Sequence, residues 1–293
     1  MIVDVHSHHW PAGCFSDEFI ADTRRMRINT VNLETSYSKY RAGLPDGEDV
    51  VSIVFGGKAR HSGTWIEDAD IAAYVAQDPE HMIGFLSVDP TQPNWEDELR
   101  EGHQKLGLRG VKLLPMYANF YPQDKLLDPL WVYATKHNLP VLLHTGTTFV
   151  AKAPIDCTLP RHLDEVACRF PDVKLILAHL GHPYEGETIA VIRKHPNLFS
   201  DISALFYRPW QLFHSLMLVE EYNVWEKILF GTDFPVTTVA ETATGLRSLA
   251  NVKIDRFSLP AEKIEQLIHR DALSLLGLED SLATAMTFER STR

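Results

Sequence analysis

Residues 128–146, DPLWVYATKHNLPVLLHTG, change period in mid-course. DPLWVYATKHN (128–138) has the spacing and capping of a helix, whereas LPVLLH (139–144) is a short apolar run of strand length that ends on His144. The next unit repeats that order. LPRHLDEVACRF (159–170) reads as a helix stopped at Pro171, and VKLILAH (173–179) as a strand that ends on His179. Working outward, the same kind of apolar run recurs as IVDVH (2–6), VVSIVF (50–55), MIGFLSV (82–88), RGVKLL (109–114), NLFSDIS (197–203) and KILFGTD (227–233). TWIEDADIAAYVAQ (64–77), NWEDELREGHQKL (94–106) and VAETATGLRSLA (239–250) read as helices between or after them, and AEKIEQLIHRDALSLLGL (261–278) as a C-terminal helical extension. Eight near-continuous apolar strands alternating with helices predict a parallel sheet covered on its faces and closed as a (β/α)₈ TIM barrel. A doubly wound open sheet is the alternative, but no Gly-rich phosphate loop follows any early strand.

The chain has 293 residues, long for an ordinary domain and usual for one barrel, so a single domain over 1–293 is expected. With 45% hydrophobic and 23% charged residues the composition is globular, and no apolar run approaches the ~20 residues a membrane span needs. No basic stretch with an apolar core opens the chain, and three cysteines (Cys14, Cys157, Cys168) cannot all pair, so a reducing cytoplasm is expected. A formal charge of −11, with the basic residues scattered among 39 acids, argues against nucleic acid and for a small-molecule partner. Self-association into a homo-oligomer is left open; the segment ADTRRMRIN (21–29) is a candidate lid or dimer contact. The 14 histidines suit metal binding and proton transfer better than packing.

Barrel enzymes gather their chemistry at the C-terminal ends of the strands. Those ends carry His6 and His8, Lys112, His144, His179, Asp201 with Ser203, and Asp233. Alternation along a strand predicts Asp4, His6 and His8 on one face, with Val3 and Val5 turned toward the helices. Each residue taken singly suits a polar strand end or a satisfied core histidine. Three strands ending in His and another in Asp is a pattern that packing does not ask for, since buried imidazoles need partners. His182 is undecided, and the remaining histidines read as structural.

The set HSH (6–8), LLHTG (142–146), LAHLGHP (177–183) and GTDFP (231–235) resembles the amidohydrolase superfamily, in its amidohydrolase-related branch with the aminocarboxymuconate-semialdehyde decarboxylase-like enzymes. The resemblance spans nearly the whole chain. It implies that His6, His8, His144 and Asp233 ligate one divalent metal, zinc by preference, with His179 and Asp233 handling protons. Imidazole and carboxylate ligands suit Zn²⁺, which lowers the pKa of a bound water to ~7.

Lys112 has three readings: a contact to a substrate carboxylate or carbonyl, which we favour, a carboxylated bridge between two metals, as in binuclear members of the superfamily the chain resembles, or an ordinary strand-end lysine held by an acid. LPMYANFYPQD (114–124) supplies Tyr117, Phe120 and Tyr121, and SALFYRPW (203–210) supplies Phe206, Tyr207, Arg208 and Trp210, as candidate pocket walls. Tyr117 and Arg208 are the expected substrate contacts, suited to a planar or cyclic carboxylated compound, although these aromatics and Arg208 equally suit loop packing and solvent. The leading function is hydrolysis of an ester, lactone or amide by metal-activated water. The alternatives are non-oxidative decarboxylation of an unsaturated or aromatic acid, and a non-catalytic barrel with a structural metal.

Overall fold

The computed structural model describes residues 1–25 and 33–282. Eight strands, β1 (Ile2–His8), β2 (Val50–Phe55), β3 (Met82–Ser87), β4 (Val111–Leu113), β5 (Val141–Leu143), β6 (Leu175–Leu177), β7 (Leu198–Asp201) and β8 (Ile228–Leu229), lie side by side in chain order, each parallel to the next. The ends of this sheet meet. Val5 N donates to Phe230 O at 3.0 Å, His8 N to Phe234 O at 2.9 Å and Asp233 N to His6 O at 2.7 Å, which closes the expected barrel between β8 and β1. Apolar residues serve both faces, as a buried parallel sheet requires. Val5, Ile53, Phe85, Leu142, Ile176 and Leu229 fill the interior, while Ile2, Val54, Leu86, Val111, Leu143 and Leu177 pack under the helices.

The face assignment on β1 is corrected by a bulge. Asp4 pairs with Ser52 but Ser7 with Val54, so three steps along β1 match two along β2. Such an insertion flips the alternation. Val3 and Val5 therefore pack with the interior cluster, and His6 and His8 follow them to that side. Asp4 turns away, taking hydrogen bonds from Thr232 N at 3.0 Å and Thr232 Oγ1 at 2.8 Å.

Two helix expectations also change. Thr64–Trp65 pairs with Lys58–Ala59 in a short antiparallel ribbon, and the helix begins only at Asp68. The C-terminal extension is two helices, Ala261–Ile268 and Ala272–Leu276, the second capped by the Asp271 side chain on Ser274 N. Ala272, Leu273, Leu276 and Leu278 join the barrel's interior cluster, and His269 lies beside the Met1 carbonyl, so the extension plugs the end where β1 starts. The other end is left for chemistry. Of ADTRRMRIN, residues 21–25 finish the helix Asp17–Arg25, and 26–29 lie outside the described residues. No helix among the described residues is long and apolar enough to cross a membrane.

Candidate active site

The bulge on β1 delivers His6 and His8 beside each other at the open end, their ring centroids 5.3 Å apart. His6 Nδ1 donates to Asp201 Oδ2 at 2.9 Å, which turns Nε2 toward Asp233 Oδ1 at 3.2 Å and Lys112 Nζ at 3.3 Å. His8 Nε2 meets the same Asp233 Oδ1 at 3.0 Å, and its Nδ1 is buried without a partner. His179 is held at both backbone and ring: its N–H donates to Asp201 Oδ1 at 2.9 Å, and Nδ1 lies 2.8 Å from Ser203 Oγ. His179, Leu180 and Asp233 all have left-handed backbone, at φ of 59°, 49° and 62°. Non-glycine residues tolerate that conformation only where their surroundings impose it, and such residues cluster at functional sites. His144 completes the group, its ring 5.1 Å from that of His179 and its Nε2 at 3.1 Å from Thr147 O.

Burial sets the charges. It pushes His8 and His179 down to about 4 and His144 well below its ordinary value, so all three imidazoles are neutral at pH 7. Burial and Lys112 also work against a charged His6, but Asp201 and Asp233 outweigh them and raise it. Both carboxylates resist burial: hydrogen bonds from His6 and His8 hold Asp233 ionised, and His6 does the same for Asp201. Lys112 falls to about 7 through burial, partly offset by Asp201 and Asp233. His6 apart, these are neutral imidazoles around an ionised carboxylate, the protonation states that a divalent cation demands. His6, His179 and Asp233 offer ligand atoms within 4.8 Å of one another. The 3.0 and 3.2 Å separations at Asp233 lie near the ~3.4 Å that separates tetrahedral ligands about 2.1 Å from an ion. The donor group that fits such an ion is His6, His179 and Asp233.

His8, Lys112, Tyr117, His144, His179 and Asp233 all line one cavity at this end of the barrel. The structure does not bring Arg208 there. Its guanidinium is solvent-exposed, 4.6 Å from the Tyr207 ring centroid and 3.2 Å from His182 Nε2. Most of the expected aromatic walls are elsewhere too: Phe120 is core, Tyr121 bonds Asp156, and Tyr207 and Trp210 are 50% and 68% exposed. The wall is built instead from Trp10, Phe15, Phe19 and Phe149. The three aromatics of WPAGCFSDEFI, directly after the histidine cluster, were the sequence signal for it.

The family model for amidohydrolases matches residues 3–278. The chain belongs to the amidohydrolase family. No curated protein matches it. Among solved structures this amidohydrolase resembles an uncharacterised TIM-barrel protein from Bordetella bronchiseptica (21% identity, TM-score 0.72, 94% of this chain and 98% of that one). It also resembles a dihydroxybenzoic acid decarboxylase from Polaromonas sp. with bound manganese and 2-nitroresorcinol (15%, 0.64, 94% and 97%). A third is a probable 2-pyrone-4,6-dicarboxylic acid hydrolase from Acinetobacter baumannii with bound citric acid (14%, 0.63, 94% and 99%). These likenesses are of fold.

In this amidohydrolase the residues with no role assigned from sequence are Asp201 and Ser203. Both sit at the end of β7, and between them they touch His6 and His179. A second donor group, Asp164, Cys168 and His195, lies on the outer helices, where Lys194 Nζ already holds the Asp164 carboxylate at 2.8 and 3.0 Å.

Proposed function

We propose that this chain is a metal-dependent hydrolase of small carboxylated or cyclic esters, lactones or amides. His6, His8, His144 and Asp233 would hold one divalent cation, zinc by ligand chemistry. A cation there supplies Lewis acidity toward a carbonyl oxygen and a water of lowered pKa. His179 moves the protons. The observation that carries this reading is that His179 is buried and neutral, with Nδ1 engaged by Ser203, which leaves Nε2 for a reacting group at the cavity it lines. Asp233 assists as an ionised acceptor, and Lys112 and Tyr117 contact the substrate.

Decarboxylation is the second reading, favoured by the aromatic wall over the charged floor: a carboxylate drawn out of water there loses the solvation that stabilises it. Elemental analysis, with a screen of lactones, esters and carboxylated aromatics scored separately for acid and CO₂ release, decides between them. With the substrate found, His179→Asn should keep the metal while kcat falls ~10²–10⁴-fold. Loss of metal in that variant would make His179 a ligand; unchanged kcat with metal retained would remove it from proton transfer.

A further inference from the structure

We infer that the substrate is a single six-membered ring bearing one acidic group and an uncharged, apolar far edge, which is read by Phe15, Phe19 and Phe149. This rests on the cavity being the active site, and holds for hydrolysis and decarboxylation alike. The first argument is size. The cavity encloses about 130 Å³, the order of volume that admits one benzene-sized ring.

The second is an unbroken aromatic arch over the mouth. His8 meets Trp10 at 4.7 Å between centroids, Trp10 meets Phe15 at 5.3 Å, and Phe15 stacks on Phe19 at 4.5 Å with planes 6° apart. Phe19 then meets Phe149 at 5.4 Å and Tyr117 at 6.4 Å, and Tyr117 meets His144 at 4.9 Å, so the arch springs from one candidate metal ligand and lands on another. It is held in place. Asp22 Oδ2 accepts from Ala151 N at 2.8 Å and Glu18 pairs with Lys152 at 2.6 Å, tying the helix Asp17–Arg25 to the loop that carries Phe149. Aromatic faces reward a flat apolar partner.

The third is charge. Among the described residues lining the cavity, Lys112 is the one lysine or arginine, and it lies at the floor within 3.3 Å of His6. One acidic group can pair with Lys112 or a cation in the His–Asp shell. A second, on the far edge, would meet aromatic faces with no charged partner among the described lining residues, and an unpaired buried charge is costly.

Calorimetric binding of benzoate, 4-methylbenzoate and terephthalate to the metal-loaded enzyme tests this. We expect 4-methylbenzoate to bind about fourfold tighter than benzoate, the factor for one buried methyl-sized group, and terephthalate about tenfold or more weaker than 4-methylbenzoate. Phe149→Ala should bring the methyl preference close to one and admit 2-naphthoate, with Phe149→Leu as the milder variant should the first fail to fold. Terephthalate binding as tightly as 4-methylbenzoate, no methyl preference, or no binding by either monoacid overturns the inference. Lys112→Met separates the two layers. Monoacid binding that survives both this change and removal of the metal undiminished places the acids outside this cavity and sinks the active-site reading, whereas its loss together with tight terephthalate binding sinks only the apolar edge.

Discussion

Asp201 is fully buried, yet its carboxyl is held ionised because four groups donate to it: the His6 ring, the backbone N–H groups of His179 and Ser203, and the Ser203 hydroxyl. A carboxylate behind an imidazole fixes the tautomer and aims the other nitrogen, and losing it typically costs 10–100-fold in metal affinity. Asp201→Asn should therefore weaken metal binding by about that factor while leaving His8, Asp233 and the fold intact, as read by chelator competition. Affinity equal to the parent's would show that His6 needs no such support. At this scale the ligand candidates were legible, because His and Asp at strand ends announce themselves in one dimension. Arg208 was not. Whether a loop arginine turns inward depends on neighbours such as Tyr207 and His182, which chain order does not reveal.

Among the elements, the ribbon Lys58–Ala59 with Thr64–Trp65 and the helix Asp68–Val75 meet at a buried salt bridge. Lys58 Nζ lies 2.9 Å from Asp68 Oδ2 and 2.8 Å from Glu98 Oε2. Burial still wins at Asp68 and raises its carboxyl to about 6 despite Lys58. An acid whose folded pKa lies above its unfolded value of about 3.9 keeps a proton that the unfolded chain has lost, so its contribution to stability falls as pH rises from about 4 to about 6. The parent should thus lose up to about 3 kcal/mol relative to Asp68→Asn across that window, measured by urea unfolding at pH 4 and 6.5. A constant difference between the two proteins would contradict the raised pKa. All eight strands were legible from their apolar runs. Thr64–Trp65 was not, because a two-residue strand has no periodicity of its own and exists only through pairing with Lys58–Ala59.

At the scale of the whole molecule, the C-terminal extension closes one end of the barrel and leaves the chemistry to the other. Leu276 is fully buried in the interior cluster. Leu276→Ala should cost about 2–5 kcal/mol of stability, with bound metal unchanged, since the cavity lies at the far end. A thermal shift of only a degree or two would show that the plug is dispensable. The eight-stranded architecture, its chain order and the ligand candidates were set by the sequence alone, because a parallel barrel repeats one local pattern and its chemistry falls at a predictable place in each repeat. Which face His6 and His8 take was decided by the bulge opposite Ser52 and Val54, a matter of register between two strands 40-odd residues apart. The cavity wall was decided later still. Trp10, Phe15, Phe19 and Phe149 become one surface only when the helix Asp17–Arg25 folds over the mouth, and contacts between distant segments depend on closure rather than on any period in the chain.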